Sequence, residues 1–385
     1  MNERSQPPYE VDEYGVRVDR PIYRAAQPQP EEEPEAPRPK RKRHIGRRLL
    51  AAALILALVL AAVVAGDLWV LCGRVDRVDT PVTAAADTAD RFDPARYQTD
   101  RVEELPLMGD TADVTNILLV GIDGEDYEGR ADTNMLVSID KRTKTVRLVS
   151  LMRDTWVTLP GVDEDADGWD DENRLNAAYS YGGMDLHLRM IRQNFRLQID
   201  RYVTVNFATF AAAIDALGGV DVECRGDEAE RVPAAGSRIR YGGAGYIPMG
   251  TADGVYHMDG FQALQYARIR YLDADGDFSR TSRQRKLIGC LIAQAKEAGL
   301  FKLHGALYDA LPQARTNMSR GDMMGLALRG LSIRGYAVDD GYRIPQDGMW
   351  HDANHDGMAV LQLDDKAASV RELHRYLYDE TRSDG

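Results

Sequence analysis

A central mixed β-sheet flanked by helices, an α/β (mixed α+β) architecture behind one apolar membrane span and a disordered tail, is the arrangement this 385-residue sequence predicts. Three observations carry that expectation. An uncharged run of eighteen residues, 49–66, lies near the N-terminus. A hairpin pattern opens the part that follows, and strand-like and helix-like segments then alternate to about residue 300. The 44% hydrophobic content suffices for a buried core.

Residues 1–48 are rich in Pro and Glu and poor in apolar side chains, a composition for disorder. Their end is basic, with Arg38, Lys40, Arg41, Lys42, Arg43, Arg47 and Arg48. "LLAAALILALVLAAVVAG" follows, and eighteen helical residues reach about 27 Å, close to the roughly 30 Å of a hydrocarbon core. Trp69 then stands where an interfacial aromatic belongs. A leader of 48 residues is too long for a cleaved signal peptide. The expectation is therefore a single-pass cell-membrane protein, its tail (1–48) cytoplasmic, its span at 49–71, a stalk at 72–110 and an extracytoplasmic domain at 111–385.

Within that domain "VTNILLVGID" reads as a buried strand, and "TNMLVSID" with "TVRLVSLMRDT" as a hairpin closed by "KRTK". Met184, Leu188, Ile191 and Phe195 mark one helix face. "RYVTVNF" and "VDVEC" read as strands around the short helix "FATFAAAIDALGG", which the Gly218–Gly219 pair stops. "MDGFQALQYARIR" and "RTSRQRKLIGCLIAQAKEAG" read as helices, the second with Leu287, Cys290, Leu291 and Ala295 inward. "GMAVLQLDD" reads as an edge strand.

The net charge of −13 argues against nucleic acid as a partner. Residues 1–48 hold 11 basic and 9 acidic groups, which leaves 37 and 52 beyond them. Cys72, Cys224 and Cys290 have no metal spacing. Asp163, Asp165, Asp167 and Gly168 mimic the start of a calcium loop, but Arg174 stands where the bidentate carboxylate belongs, so a solvated turn is the better reading.

Against that acidic background "YARIRYLDADGDFSRTSRQRK" gathers Arg268, Arg270, Arg280, Arg283 and Arg285 in twenty-one residues. Two more stretches lie just past strand ends, where sheet-based sites commonly form. "GIDGEDYEGRADT" carries Asp123, Arg130 and Asp132, and "LMRDTW" carries Arg153 and Asp154. Two carboxylates across a loop suit a hard cation, and arginines grip phosphate with paired planar donors. Arg283 is counted with the anion-binding arginines on this ground.

The ordered set "NILLVGID…GRADTNMLVSID…TVRLVSLMRDTWVTLPG…NRLNAAYSYGG…MDGFQALQYARIRY…DFSRTSRQR", within residues 114–300, resembles the LytR-CpsA-Psr family. The resemblance implies transfer of a phospho-glycopolymer, such as teichoic acid or capsule, from an undecaprenyl-pyrophosphate carrier to peptidoglycan. It also implies a magnesium ion, which manganese can replace. Asp123 and Asp132 match the family's metal ligands, and Arg153 its catalytic pyrophosphate-binding arginine. Arg130, Arg174, Arg268, Arg270, Arg280 and Gln284 match other motif positions, and Asp154 and Asp277 are the candidate general bases. Glu125 stands where the family often has an arginine, and Ala131 where it usually has serine. The loss at Glu125 keeps a non-catalytic lipid-pyrophosphate binder as an alternative. A pyrophosphatase, with water as acceptor, is the other. The lipid tail calls for an apolar slot between the sheet and the helices bearing Met184, Leu188 and Phe210.

Overall fold

β2 (Val114–Ile122) is apolar on both faces because it lies inside a seven-stranded sheet covered on both sides. The protein is described by a computed structural model over residues 9–11, 17–19, 65–78, 101–236, 247–298, 304–305, 308, 312 and 314–378. β1 (Asp76–Arg77) precedes β2, and β3 (Ala131–Asp140) and β4 (Thr145–Leu151) follow it as the antiparallel hairpin that "KRTK" closes. The remaining strands are β5 (Trp156–Thr158), β6 (Glu172–Arg174), β7 (Tyr202–Asn206), β8 (Val220–Cys224), β9 (Gly254–Met258), β10 (Arg315–Thr316), β11 (Ala337–Ile344), β12 (Trp350–His355) and β13 (Met358–Leu363). The helices are α1 (Ala177–Phe195), α2 (Phe207–Ala216), α3 (Gly226–Arg231), α4 (Gly260–Ala267), α5 (Asp277–Glu297), α6 (Arg320–Ser332) and α7 (Lys366–Tyr378).

The sheet order is β11-β4-β3-β2-β7-β10-β1. β11 runs parallel to β4, β2 to β7 and β10 to β1, and the other pairs are antiparallel, so the sheet is mixed. Leu118, Val120 and Ile122 point to one face, where they pack with Met190, Ile191 and Phe195 of α1 and Val370 and Leu373 of α7. The four apolar positions expected on one face of α1 are all buried there. On the other face Met135 and Leu148 meet Ile288 and Ile292 of α5. α2, α4 and α5 enclose their own apolar cluster with β8 and β9 around Ile214, Val222, Met258, Tyr266 and Leu287.

Three expectations change. β13 is no edge of the main sheet: it pairs with β12 in a separate hairpin, docked where the Leu361 N–H donates to the Asp154 carbonyl, and the edges are β11 and β1. The stalk expected over 72–110 is packed at both described ends, where β1 borders the sheet and Val102 is buried in the main core. In the tail, Tyr9–Val11 pairs with Arg17–Asp19 in a short antiparallel ladder. Residues 49–64 of the expected span lie outside the described residues. No described helix is long and apolar enough to cross a membrane.

Candidate functional site

Arg153 leaves the end of β4 and enters a ring of carboxylates drawn from three separate segments. Its Nη1 donates to Asp132 Oδ2 at 2.9 Å, its Nε lies 3.3 Å from Asp154 Oδ2, and its Nη2 lies 3.5 Å from Asp277 Oδ1. Asp132 begins β3, Asp154 follows β4, and Asp277 opens α5. Arg174 Nη1 reaches Asp154 at 3.4 Å, and Arg270 Nη2 reaches Asp132 at 3.9 Å. Arg280, one turn along α5, donates to Asp277 at 2.8 Å. The stretches singled out in the sequence therefore meet at one end of the sheet.

Burial sets the proton affinities. Burial opposes the charge on Arg153, but Asp277, Asp132 and Asp154 outweigh it and hold the guanidinium protonated. Arg280 is pushed down to about 10, chiefly by burial, with Asp277 opposing and Arg153 and Arg270 adding repulsion. Burial raises the Asp277 carboxyl above the usual carboxylate range despite Arg280 and Arg153. Ion pairs among the described residues thus join four guanidinium groups (Arg153, Arg174, Arg270, Arg280) to three carboxylates (Asp132, Asp154, Asp277).

Asp123 lies past the end of β2 on a tight loop. Its Oδ1 accepts the Arg130 N–H at 2.8 Å, and the Asp123 N–H donates back to the Arg130 carbonyl at 3.3 Å. Asp126 and Tyr127 sit in the left-handed region (φ 55° and 64°), and a Cβ on Gly124 would collide with the Glu128 carbonyl, so the turn accepts only glycine there. Asp123, just past β2, and Asp132, at the start of β3, offer hard oxygen donors from the two ends of one connection, and carboxylates of that kind suit a small divalent cation.

Arg268 and Gln284 help line an apolar cavity of about 260 Å³ between the sheet (Leu119, Gly121, Val205) and α2, α4 and α5. The Arg268 guanidinium lies 4.7 Å from the Phe207 ring centroid. Phe210 lines this cavity as expected, but Met184 and Leu188 belong to α1 on the opposite face of the sheet. The alternation of β2 separates the two: Leu118 and Val120 face α1, whereas Leu119 and Gly121 face the cavity.

Arg283 also departs from expectation. It is 4% exposed, with Nε on Glu228 Oε1 at 2.7 Å and Nη2 on Asp273. Both ends are committed inward, so it ties α3 to the loop before α5 and offers an anion nothing. Arg285 is likewise internal, bonded to Ser150 Oγ at 3.0 Å and the Asp340 carbonyl at 2.6 Å. One residue escaped the sequence reading. Asn176 occupies the N-cap of α1 without capping it, and its Nδ2 donates to Asp132 Oδ1 at 3.3 Å. An asparagine opening a helix was the available signal, and capping was its ordinary meaning. Asp163, Asp165 and Asp167 do converge within 4.8 Å of one another, on an open loop.

Fold and site together define an α/β protein with an arginine–aspartate cluster at one end of its sheet and an apolar cavity lined in part by Arg268 and Thr133. The LytR_cpsA_psr family profile matches residues 81–371, and the chain belongs to that family. The polyisoprenyl-teichoic acid–peptidoglycan teichoic acid transferase TagU of Enterococcus faecalis is 31% identical over 242 residues, 61% of this chain and 72% of that protein. The transferase of the same description named TagV, from Bacillus subtilis, is 35% identical over 188 residues, 48% of this chain and 44% of that one. The crystal structure of B. subtilis TagV superposes with a TM-score of 0.54 at 27% identity, covering 70% of this chain and 98% of the other. TagT bound to LIIa-WTA shares the fold, with a TM-score of 0.55 at 23% identity over 78% of this chain and 97% of that one.

Proposed function

We propose that this protein transfers a phospho-glycopolymer of the teichoic-acid kind from a polyisoprenyl-pyrophosphate carrier to peptidoglycan. One observation carries the reading: Arg153 joins Asp132, Asp154 and Asp277, and Thr133, next in the chain to Asp132, lines an apolar slot together with Arg268 and Gln284. The relatives described as transferases of this kind support it.

In this reading the isoprenoid end of the carrier enters the apolar slot, because a hydrocarbon chain cannot lie in water. The pyrophosphate then lies among Arg153, Arg268, Arg270 and Arg280. Arg130 and Arg174 stand at its flanks. The acceptor hydroxyl oxygen bonds to the sugar-side phosphorus, and the bridging P–O bond breaks with its electrons leaving on the lipid phosphate. The guanidinium groups neutralise that growing charge. The hydroxyl proton passes to Asp277, whose burial-raised carboxyl is the better acceptor, while Asp154 orients Arg153 and Arg174. Asp123 and Asp132 would hold magnesium or manganese, which supplies Lewis-acid neutralisation of phosphate oxygens when bound.

The run 49–66 would anchor the protein in the cytoplasmic membrane with residues 67–385 outside, on the side of the peptidoglycan acceptor. The test supplies full-length protein with lipid-linked polymer and peptidoglycan fragments. Covalently joined product is expected from the native chain, and Arg153→Ala should lower its rate a hundredfold or more. Release of free polymer with acceptor present would point to a pyrophosphatase. Binding with neither product would point to a non-catalytic binder.

A further inference from the structure

Residues 65–78 are built into the body rather than trailing from it. Residues 65–72 are helical, and the helix closes with the Gly73 N–H donating to the Val70 carbonyl at 3.0 Å. Leu71 and Cys72 are buried, and Cys72 and Val75 form a cluster with Met318 and with Met323 of α6. The missing side chain of Gly73 leaves room for the Arg320 guanidinium, which a Cβ there would meet at 2.7 Å. That guanidinium lies 5.6 Å from the Trp69 ring centroid, beside a helix C-terminus where a cation is favoured. β1 then joins the sheet edge at once, parallel to β10.

This segment also presents apolar side chains at the surface of the described residues. Trp69, Val70 and Val78 are exposed, by 49%, 62% and 39%. Close by in the chain or the fold, Arg320 reaches Trp69, Arg74 lies 3.5 Å above the Tyr308 ring, and Arg315 pairs with Asp76 of β1. The eighteen-residue apolar run ends at Gly66, so Trp69 follows it by three residues, about 4.5 Å of helix. A tryptophan with a guanidinium beside it at that distance matches the interfacial layer of a bilayer.

We propose that residues 65–78 clamp the catalytic unit rigidly on the membrane, with Trp69, Val70 and Val78 in the interfacial layer of the bilayer that the chain's own apolar run enters. The proposal rests on the membrane-anchored reading and goes beyond it by fixing the orientation of the unit. Val203 of β7 packs against the anchor cluster and Val205 lines the slot. They share one face of the strand, about 7 Å apart. The clamp therefore holds the slot at a set height above the lipid that carries the substrate, and a flexible stalk would not.

The first test uses full-length protein in phosphatidylcholine vesicles and the emission lost in Trp69→Phe. That emission should be quenched by lipids brominated near the headgroup and spared by aqueous iodide; the reverse overturns the proposal whatever the activity. The second inserts ten Gly-Ser residues between Gly66 and Asp67. Turnover of a long-chain polyprenyl pyrophosphate embedded in the vesicle should fall tenfold or more, with turnover of a water-soluble short-chain prenyl pyrophosphate unchanged. Equal rates on the embedded substrate before and after insertion overturn the clamp. A native chain inactive on both substrates sinks the transferase reading instead and leaves the quenching result to decide the clamp.

Discussion

Arg153 and Arg283 both sit among carboxylates, yet substitution should separate them. The Arg153 side chain is 17% exposed and, in the proposed function, contacts the pyrophosphate, so Arg153→Ala removes charge stabilisation worth about 3–4 kcal/mol of barrier while the fold holds. Arg283 is enclosed with Glu228, which is also nearly buried. Arg283→Ala strands that carboxylate at a cost of about 3–5 kcal/mol, read as a lower denaturant midpoint with the activity of the remaining folded protein nearly intact. An unchanged midpoint would return Arg283 to the site. The sequence made the arginine cluster visible but not this division. Along α5, Arg280 and Gln284 lie within 40° of each other, whereas Arg283 is turned about 100° from Gln284, toward Glu228 of α3. Only the partner helix reveals which side is wet. Asn176 was hidden for a similar reason, its short polar side chain having a commoner use at a helix start. Asn176→Ala should lower turnover about tenfold by freeing Asp132, while the midpoint barely moves. Asn176→Asp would set two carboxylates face to face and do worse.

The hairpin β3–β4 shows what the sequence made legible at the level of elements. Its two-residue alternation and polar turn were enough to place it, because both are local. Asp140 fixes the turn. Burial pushes its carboxyl up, but the Thr143 N–H and hydroxyl, Arg147 and the Arg142 N–H prevail and hold it below the ordinary value. A carboxyl lowered by folding contributes stability that is present above its unfolded value, about 3.9, and is lost as pH falls through the folded value. Asp140→Asn should therefore unfold more easily than the native chain at neutral pH, with the gap closing below about pH 4. A gap that is constant with pH would mean that the carboxylate charge contributes nothing. β11 was the element the sequence concealed. "AVDDGYRI" carries two adjacent aspartates and a register shift between Asp339 and Tyr342, which breaks alternation, whereas "MAVLQL" is a compact apolar run and became a side hairpin. Edge position is decided by what packs alongside, and no local pattern encodes it.

At the level of the whole molecule, a local cationic grip sits on an acidic body. Residues 49–385 carry 37 basic and 52 acidic groups, whereas the ion-paired cluster at the candidate site joins four guanidiniums to three carboxylates. Fields beyond about 8–10 Å are screened at physiological salt, so contacts inside the site are insensitive to ionic strength while the approach of a ligand is not. A polyanionic glycopolymer must come up against net negative charge before it meets the arginines. Raising potassium chloride from about 0.02 to 0.15 M, at constant magnesium, should therefore quicken association with the polymer-bearing carrier, opposite to the trend of proteins that bind nucleic acid through a basic surface. The effect should shrink for a short prenyl pyrophosphate, whose few charges feel less of the long-range repulsion. Stopped-flow association rates for the two ligands across that range decide the matter. A polymer rate that falls with salt would mean the arginine cluster reaches outward and governs capture, which its enclosure by Asp132, Asp154 and Asp277 argues against. Capture by diffusion in the membrane plane predicts the same sign, because the carrier's lipid end arrives without charge and only the trailing polymer is repelled.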